Sequence, residues 1–300
     1  MCVFSIDDLH ATIAPIMVKI LDGKNLAQTI REKVKTRVAA LSTQPGLAIL
    51  LVGDNPASHT YVALKKKACE EAGIHFEQYL YVETEPEETL VKKIHELNAR
   101  EDVNGILVQL PLPTQNADRV IAAIDPLKDV DGFHPVNLEK IERGESAIAS
   151  AVALGIMKLI EQAGGSPVTA TIVSSALFAK PLAILLRERG VASTVVQHDN
   201  ADLAEATRAS DILIVAVGQP GFIIGDMVKP GAIVIDVGTT RTDDGLKGDV
   251  DFDSVAPIAS AITPVPGGVG PMTVAMLLVN ILKAYSLQRP VHRSSSEGGG

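Results

Sequence analysis

The sequence has no tryptophan, only two cysteines (Cys2 and Cys69), and aromatic residues amounting to just 3% of the chain. Two cysteines are too few for a disulfide framework or a Cys-rich zinc site. Such sparing use fits a reducing compartment, with the cytoplasm as the default reading. Basic residues are also in deficit, 27 Lys and Arg against 36 Asp and Glu, for a net charge of −9. A general nucleic-acid-binding surface is therefore not expected, although a local basic patch can still bind an anion. No apolar run approaches the roughly 20 residues that a bilayer requires, so no membrane partner is expected. The opening residues MCVFSIDDLHATIAPIM carry Asp7 and Asp8. They lack the basic start of a secretory signal and the Arg-rich character of a mitochondrial presequence.

What is present is globular material: 300 residues, 46% hydrophobic and 21% charged. That composition excludes a mainly disordered chain, and the length makes two domains the prior. Strand and helix patterns alternate almost throughout. Leu26, Ile30, Val34, Val38 and Leu41 recur at helical spacing. LAILLV (47–52) suits a strand buried on both faces. Asp54 or Asn55 can cap a following helix, with Pro56 in its first turn and Gly73 at its end. A strand at 76–82, a helix marked by Leu90, Ile94 and Leu97, and a strand at 105–110 complete a β-α-β-α-β series of parallel strands. The pattern restarts after about residue 150, with strands at 168–173, 191–197, 211–217 and 232–238 and helices between them. That succession resembles a dinucleotide-binding domain. A final helix is predicted from about Met272 to Tyr285. The ends, 1–17 and 289–300, are expected to be flexible.

Open parallel sheets bind ligands beyond the carboxyl ends of their strands, and four segments there carry chemistry. In SHTYVALKKKA, Ser58, Tyr61 and Lys65 fall on one helical face. A lysine in a cleft has its pKa lowered by desolvation and by neighbouring cations, here Lys66 and Lys67, and can then move protons. The alternative is a solvated basic face on which Tyr61 is a packing residue. Gln109 ends a buried strand, offering its amide to a ligand or merely capping the sheet. KDVDGFHPVN (128–137) sets Asp129, Asp131 and His134 in a shaped loop without calcium-hand spacing. A carboxylate reading heterocycle N–H groups and plain turn-forming aspartates both remain open there, and no metal site is expected. ITPVPGGVGPMT (262–273) specifies a shaped backbone that a flat ligand can approach closely, or a tight structural connection.

These motifs, with AVGQPGF, KPGAIVIDVG and GDVDF, resemble the bifunctional methylenetetrahydrofolate dehydrogenase/methenyltetrahydrofolate cyclohydrolase family over about residues 18–288. The resemblance implies an α/β protein of two domains with a cleft between them. A folate-binding catalytic domain would span 18–149, completed by a returning C-terminal helix at 270–288, and a Rossmann-like nucleotide domain would span 150–269. It implies a homodimer, a tetrahydrofolate derivative as substrate, NADP or NAD as cofactor, and a contribution to purine biosynthesis. By the same resemblance Lys65 is the general acid/base of the cyclohydrolase step. Tyr61 stacks on the aminobenzoate, Gln109 tunes Lys65, Asp131 binds the pterin, and Ser58, Pro266 and Gly267 belong to the folate site. Ser174, Ser175, His198, Gly218 and Thr239 would serve the nucleotide.

The nucleotide side departs from the family pattern. Where a loop like VVGRSxIVGxP is usual, this chain has TIVSSALFAKP (171–181), so that Val173, Ser174 and Ala179 replace Gly, Arg and Gly. A Cβ at such positions obstructs backbone approach to phosphates. Ser150-Ala151-Val152-Ala153 replaces PCTP, and His198-Asp199-Asn200-Ala201 replaces H-S-x-T. Asp199 would oppose a 2′-phosphate and suit a ribose diol. Three readings follow. The chain is bifunctional with an altered nucleotide preference, or a cyclohydrolase with a disabled nucleotide site, or a non-catalytic folate-binding or dimerising partner.

Overall fold

The computed structural model describes residues 18–289, so the two ends expected to be flexible lie outside the described residues, Arg289 apart. Strand β1 (Lys19–Ile20) leads into helix α1 (Gly23–Ala39). Then follow β2 (Gly46–Val52), α2 (Pro56–Ala72), β3 (His75–Tyr81), α3 (Glu87–Asn98), β4 (Gly105–Val108), α4 (Ala117–Ala122) and α5 (Pro135–Glu142). The second half runs α6 (Ala151–Ala163), β5 (Thr169–Ser174), α7 (Ala176–Glu188), β6 (Ala192–Val196), α8 (Leu203–Arg208), β7 (Ile212–Ala216) and β8 (Ile233–Asp236). A small hairpin of β9 (Thr240–Thr242) and β10 (Gly245–Lys247), then α9 (Phe252–Val255), β11 (Ala261–Ile262) and α10 (Val269–Leu287), complete it.

Two parallel sheets organise these elements. The first has the order β3-β2-β4, the second β1-β11-β8-β7-β5-β6. β2 is buried on both faces because helices cover both. Leu47, Ile49 and Leu51 pack toward α2 and α10, whereas Ala48, Leu50 and Val52 pack toward Leu90, Ile94 and Leu97 of α3. Each fully buried leucine or isoleucine there stabilises the fold by roughly 1.5–3 kcal/mol. β1 is the exception to the division by halves. Residues 19–20, expected at the head of the N-terminal domain, pair with β11 in the sheet of the second half.

α10 corrects the sequence reading of apolar runs. By length and composition it is apolar enough to cross a membrane, yet 61% of its apolar window is buried inside the protein. Val269, Met272 and Ala275 join the core of the second half; Leu277, Leu278 and Ile281 join that of the first. It also begins earlier than predicted, at Val269, because Pro271 is tolerated in a first turn.

Beneath the carboxyl ends of β7 and β8 lie two buried aspartates from the IDVG and GDVDF motifs. Asp236 accepts from the backbone N–H of Gly238 (3.0 Å), Asp249 (2.9 Å) and Val250 (2.9 Å). Asp249 Oδ2 accepts from Val217 (2.6 Å) and Gly218 (2.9 Å), while its buried Oδ1 has no hydrogen-bond partner among the described residues. The pair ties three chain segments together at the edge where ligand is expected. Burial outweighs those backbone donors and pushes the Asp236 carboxyl up to about 6.

Folded Asp236 therefore holds its proton more tightly than the unfolded residue does. The stability it contributes is full below the ordinary value of 3.8 and is lost as pH rises through about 6. Asp236→Asn sets an amide NH2 against backbone donors, with an expected cost of about 1–3 kcal/mol. Urea unfolding of both proteins at pH 4.5 and pH 7 tests this; an unaltered midpoint, or an identical pH trend in the variant, refutes it.

Candidate active site

The sequence signals at α2 are met locally. Asn55 accepts from the N–H of Ala57 (2.9 Å) and Ser58 (3.3 Å), Pro56 opens the helix, and Gly73 closes it at φ 76°. Ser58, Val62, Lys65 and Cys69 then point inward, with Lys65 only 6% exposed. Lys66 and Lys67 point outward to Glu70 and Glu71. The expected contribution of these two cations to the Lys65 pKa is thus replaced by another cause. Burial lowers it, and the charge of Asp131 partly offsets that.

Lys65 Nζ donates to Gln109 Oε1 at 2.9 Å. Gln109 is held in turn, its backbone N–H reaching Leu50 O (2.9 Å) and its Nε2 reaching Leu110 O (2.9 Å). The strand expected to reach residue 110 ends at Val108, since Pro111 cannot extend the ladder.

The DVDGFHP loop divides its polar residues between two tasks. Asp129, buried, accepts from Gly132 N–H (3.1 Å), His134 N–H (2.8 Å) and Asn137 Nδ2 (3.3 Å). His134 Nδ1 caps α5 by accepting from Val136 N–H at 3.1 Å. Both are turn builders. Asp131 is half-buried, and its carboxylate accepts no hydrogen bond among the described residues. Burial raises its pKa, and the opposed charge of Lys65 draws it back. Gly132 (φ 80°) lies against the Ala149–Ser150 backbone, where no Cβ fits. Asn280 of α10 pins the loop by donating to Val130 O and Ala149 O, both at 2.8 Å.

Tyr61 stands one turn before Lys65, and its hydroxyl meets Thr239 Oγ1 at 2.7 Å. This bond joins α2 to the segment after β8. Tyr61, Thr239, Pro266 and Gly267 line a cavity of about 1080 Å³ between the two halves, with Arg31 and Lys67 farther along its wall. Lys65, Gln109 and Asp131 form their own cluster behind α2.

The remaining predicted residues follow the strands of the second sheet. Ser174 ends β5 and Ser175 follows it, His198 lies past β6, and Gly218 lies past β7. Ser174 is buried, with its hydroxyl on Ser175 O (3.2 Å), while Ser175 caps α7. Of the residues aligned with the family's loop (171–181), Thr171–Ser174 belong to β5 and Ala176–Pro181 to α7, with Ser175 alone between them. Asp236, Asp249 and Asn280 were not singled out from sequence. Acids beside glycine in apolar runs (IDVG, GDVD), and a lone Asn within the apolar stretch AMLLVNIL, were the available signals.

Two family profiles match the chain. The tetrahydrofolate dehydrogenase/cyclohydrolase catalytic domain covers residues 21–131, and the NAD(P)-binding domain of the same family covers residues 150–289. The chain belongs to the tetrahydrofolate dehydrogenase/cyclohydrolase family. Relatives within it include the bifunctional protein FolD of Oleidesulfovibrio alaskensis, 46% identical over 278 residues, covering 89% of this chain and 97% of the relative. That of Bordetella avium is 48% identical over 274 residues, covering 89% and 96%. Among solved structures, FolD of Campylobacter jejuni superposes with a TM-score of 0.84 at 41% identity, covering 91% of this chain and all of that one. The Trypanosoma brucei enzyme, complexed with NADP cofactor and inhibitor, gives 0.85 at 35% identity, covering 90% and 98%.

The second half fits the dinucleotide of this family in its frame. Strand order reverses direction across β5, α7 offers its N-terminus there, and Gly218 (φ 72°) leaves open space where a Cβ would stand. Asp131→Asn would remove the charge that holds the Lys65 ammonium in place, so Lys65 should titrate lower still. NMR titration of the lysine side chains measures this directly, and an unmoved or raised Lys65 value would show that the two groups are not coupled.

Proposed function

We infer that the protein oxidises 5,10-methylenetetrahydrofolate to the methenyl form and hydrolyses that to 10-formyltetrahydrofolate. Family membership and the bifunctional relatives support both halves. The observation that carries the chemistry is the buried Lys65, held by Gln109 and facing the charge of Asp131. A chain that only binds folate, or only hydrolyses it, finds no support in these relatives.

The methenyl substrate is already a cation, so the site needs positioning and a poised base more than an electrophile. Lys65, its neutral form favoured by burial, takes one proton from an attacking water as the oxygen bonds to the methenyl carbon. The C–N5 bond then breaks as Lys65 returns that proton to N5 and the hydroxyl on the former methenyl carbon releases its own proton to solvent, leaving the formyl group on N10. Gln109 Oε1 fixes the direction of Nζ. Asp131 accepts N–H groups of the pterin. Tyr61 offers its ring to the aminobenzoate. Pro266 and Gly267 form the opposite wall, and Ser58 supports the same face of α2. NAD(P), when bound, supplies the hydride acceptor for the first reaction. Ser174, Ser175, His198, Gly218 and Thr239 border its place along the second sheet.

The same reading takes the protein as a cytoplasmic homodimer contributing to purine biosynthesis. β6 supports the pairing: it is an edge strand, with Val195 43% exposed.

Lys65→Met, close in size and without charge, should lower methenyltetrahydrofolate hydrolysis by about 10²-fold or more, the usual scale of a lost acid/base group. Circular dichroism establishes that the variant is folded. Near-normal hydrolysis by a folded variant removes Lys65 from this role.

A further inference from the structure

The second sheet is arranged for a dinucleotide, but its ligand edge is not arranged for a 2′-phosphate. From β5 the chain passes through α7 to β6 on one side, then returns through α8 to β7 on the other. In sheets of this kind the diphosphate lies at the first helix N-terminus and the adenosine ribose lies beside the end of the second strand. Those places are here the Ser175 cap of α7 and the exit of β6. A carboxylate at the second position accepts from the ribose hydroxyls, whereas a 2′-phosphate needs a cation.

Beyond β6 come Gln197, His198, Asp199, Asn200, Ala201 and Asp202, two acids and no Lys or Arg. The end of β5 and the first turn of α7, Ser174 to Ala179, also contain no cation, and Lys180 comes more than a helical turn past the cap. Asp199 is exposed and makes no hydrogen bond or ion pair among the described residues, so its carboxylate is committed to nothing else. The His198 ring meets Phe222 edge-on, centroids 6.5 Å apart, which draws the β6 exit and the loop after β7 together across the end of β5. Asp199 is thereby set at the rim of the expected nucleotide site.

We propose that Asp199 selects NAD over NADP, accepting hydrogen bonds from a free ribose diol and repelling a 2′-phosphate. This rests on the dehydrogenase reading above and adds which nucleotide the chain takes.

Calorimetric titration of the full-length protein with NAD and with NADP tests it without relying on turnover. The wild type should bind NAD tighter by about tenfold or more. Asp199→Asn should shrink that ratio several-fold, Asp199→Glu should keep it, and Asp199→Ser combined with Ser174→Arg should reverse it. Equal or tighter NADP binding by the wild type, a ratio indifferent to Asp199→Asn, or binding of neither nucleotide would overturn the proposal. Methenyltetrahydrofolate hydrolysis, which needs no nucleotide, is measured on the same wild-type preparation. If it persists while the preference fails, Asp199 alone has been misread; if it is missing, the folate function itself falls.

Discussion

α10 is the constraint on which the rest of the molecule depends. Its apolar residues divide between the two cores, so neither half has a complete interior without it. Asn280 is only 1% exposed within this helix, and its amide is spent on the carbonyls of Val130 and Ala149. Those carbonyls flank the loop carrying Asp131 and the start of α6. One buried side chain thus fixes the loop of the first half, the entry to the second, and the helix between them. An unpaired carbonyl in such surroundings costs about 1–3 kcal/mol, which makes the register of α10 hard to shift.

Two buried electrostatic arrangements then do different work. Around Lys65 a single cation is desolvated beside a single carboxylate, and burial is the larger effect, so the lysine titrates below its ordinary value. Cys69 completes that pocket as a small neutral filler, its thiol pushed up to about 12 by burial. At Asp236 and Asp249 the partners are backbone donors and the result is rigidity. Gly238 and Gly248 press so closely on these carboxylates that a Cβ at either would collide with them. The ends of β7 and β8 are therefore shaped from beneath by this pair, of which Asp236 also borders the cavity between the two halves.

Much of this was legible in the sequence where a local signal had one physical cause. The unbroken run Leu47 to Val52 could only be a strand covered on both sides, and Asn55, Pro56 and Gly73 marked both ends of α2. The hidden parts depended on distant partners. Nothing near Thr239 announces a bond to Tyr61, 178 residues earlier. Asp129 and Asp131 are neighbours of identical chemistry, and only the backbone around Gly132 decides which one turns to the loop. α4, α5 and the β9–β10 hairpin carry only the local signals of Asn116, His134-Pro135 and Asp244-Gly245; short elements leave too few residues for a period to show. The Thr171–Pro181 stretch divides between β5 and α7 at Ser175, a boundary that no glycine marks.

The two halves also exchange their ends. Lys19 and Ile20 lie in the sheet of the second half, while α10, from the far end of the chain, fills the core of the first. Synthesis from the N-terminus therefore produces β2, β3 and β4 long before the helix that covers them. Until residues 269–287 leave the ribosome, the core around Leu47, Ile49 and Leu51 has α1 and α2 but not α10 to cover it, and the nascent chain must carry that partly open face through most of translation. The fold closes like a belt whose buckle is made last.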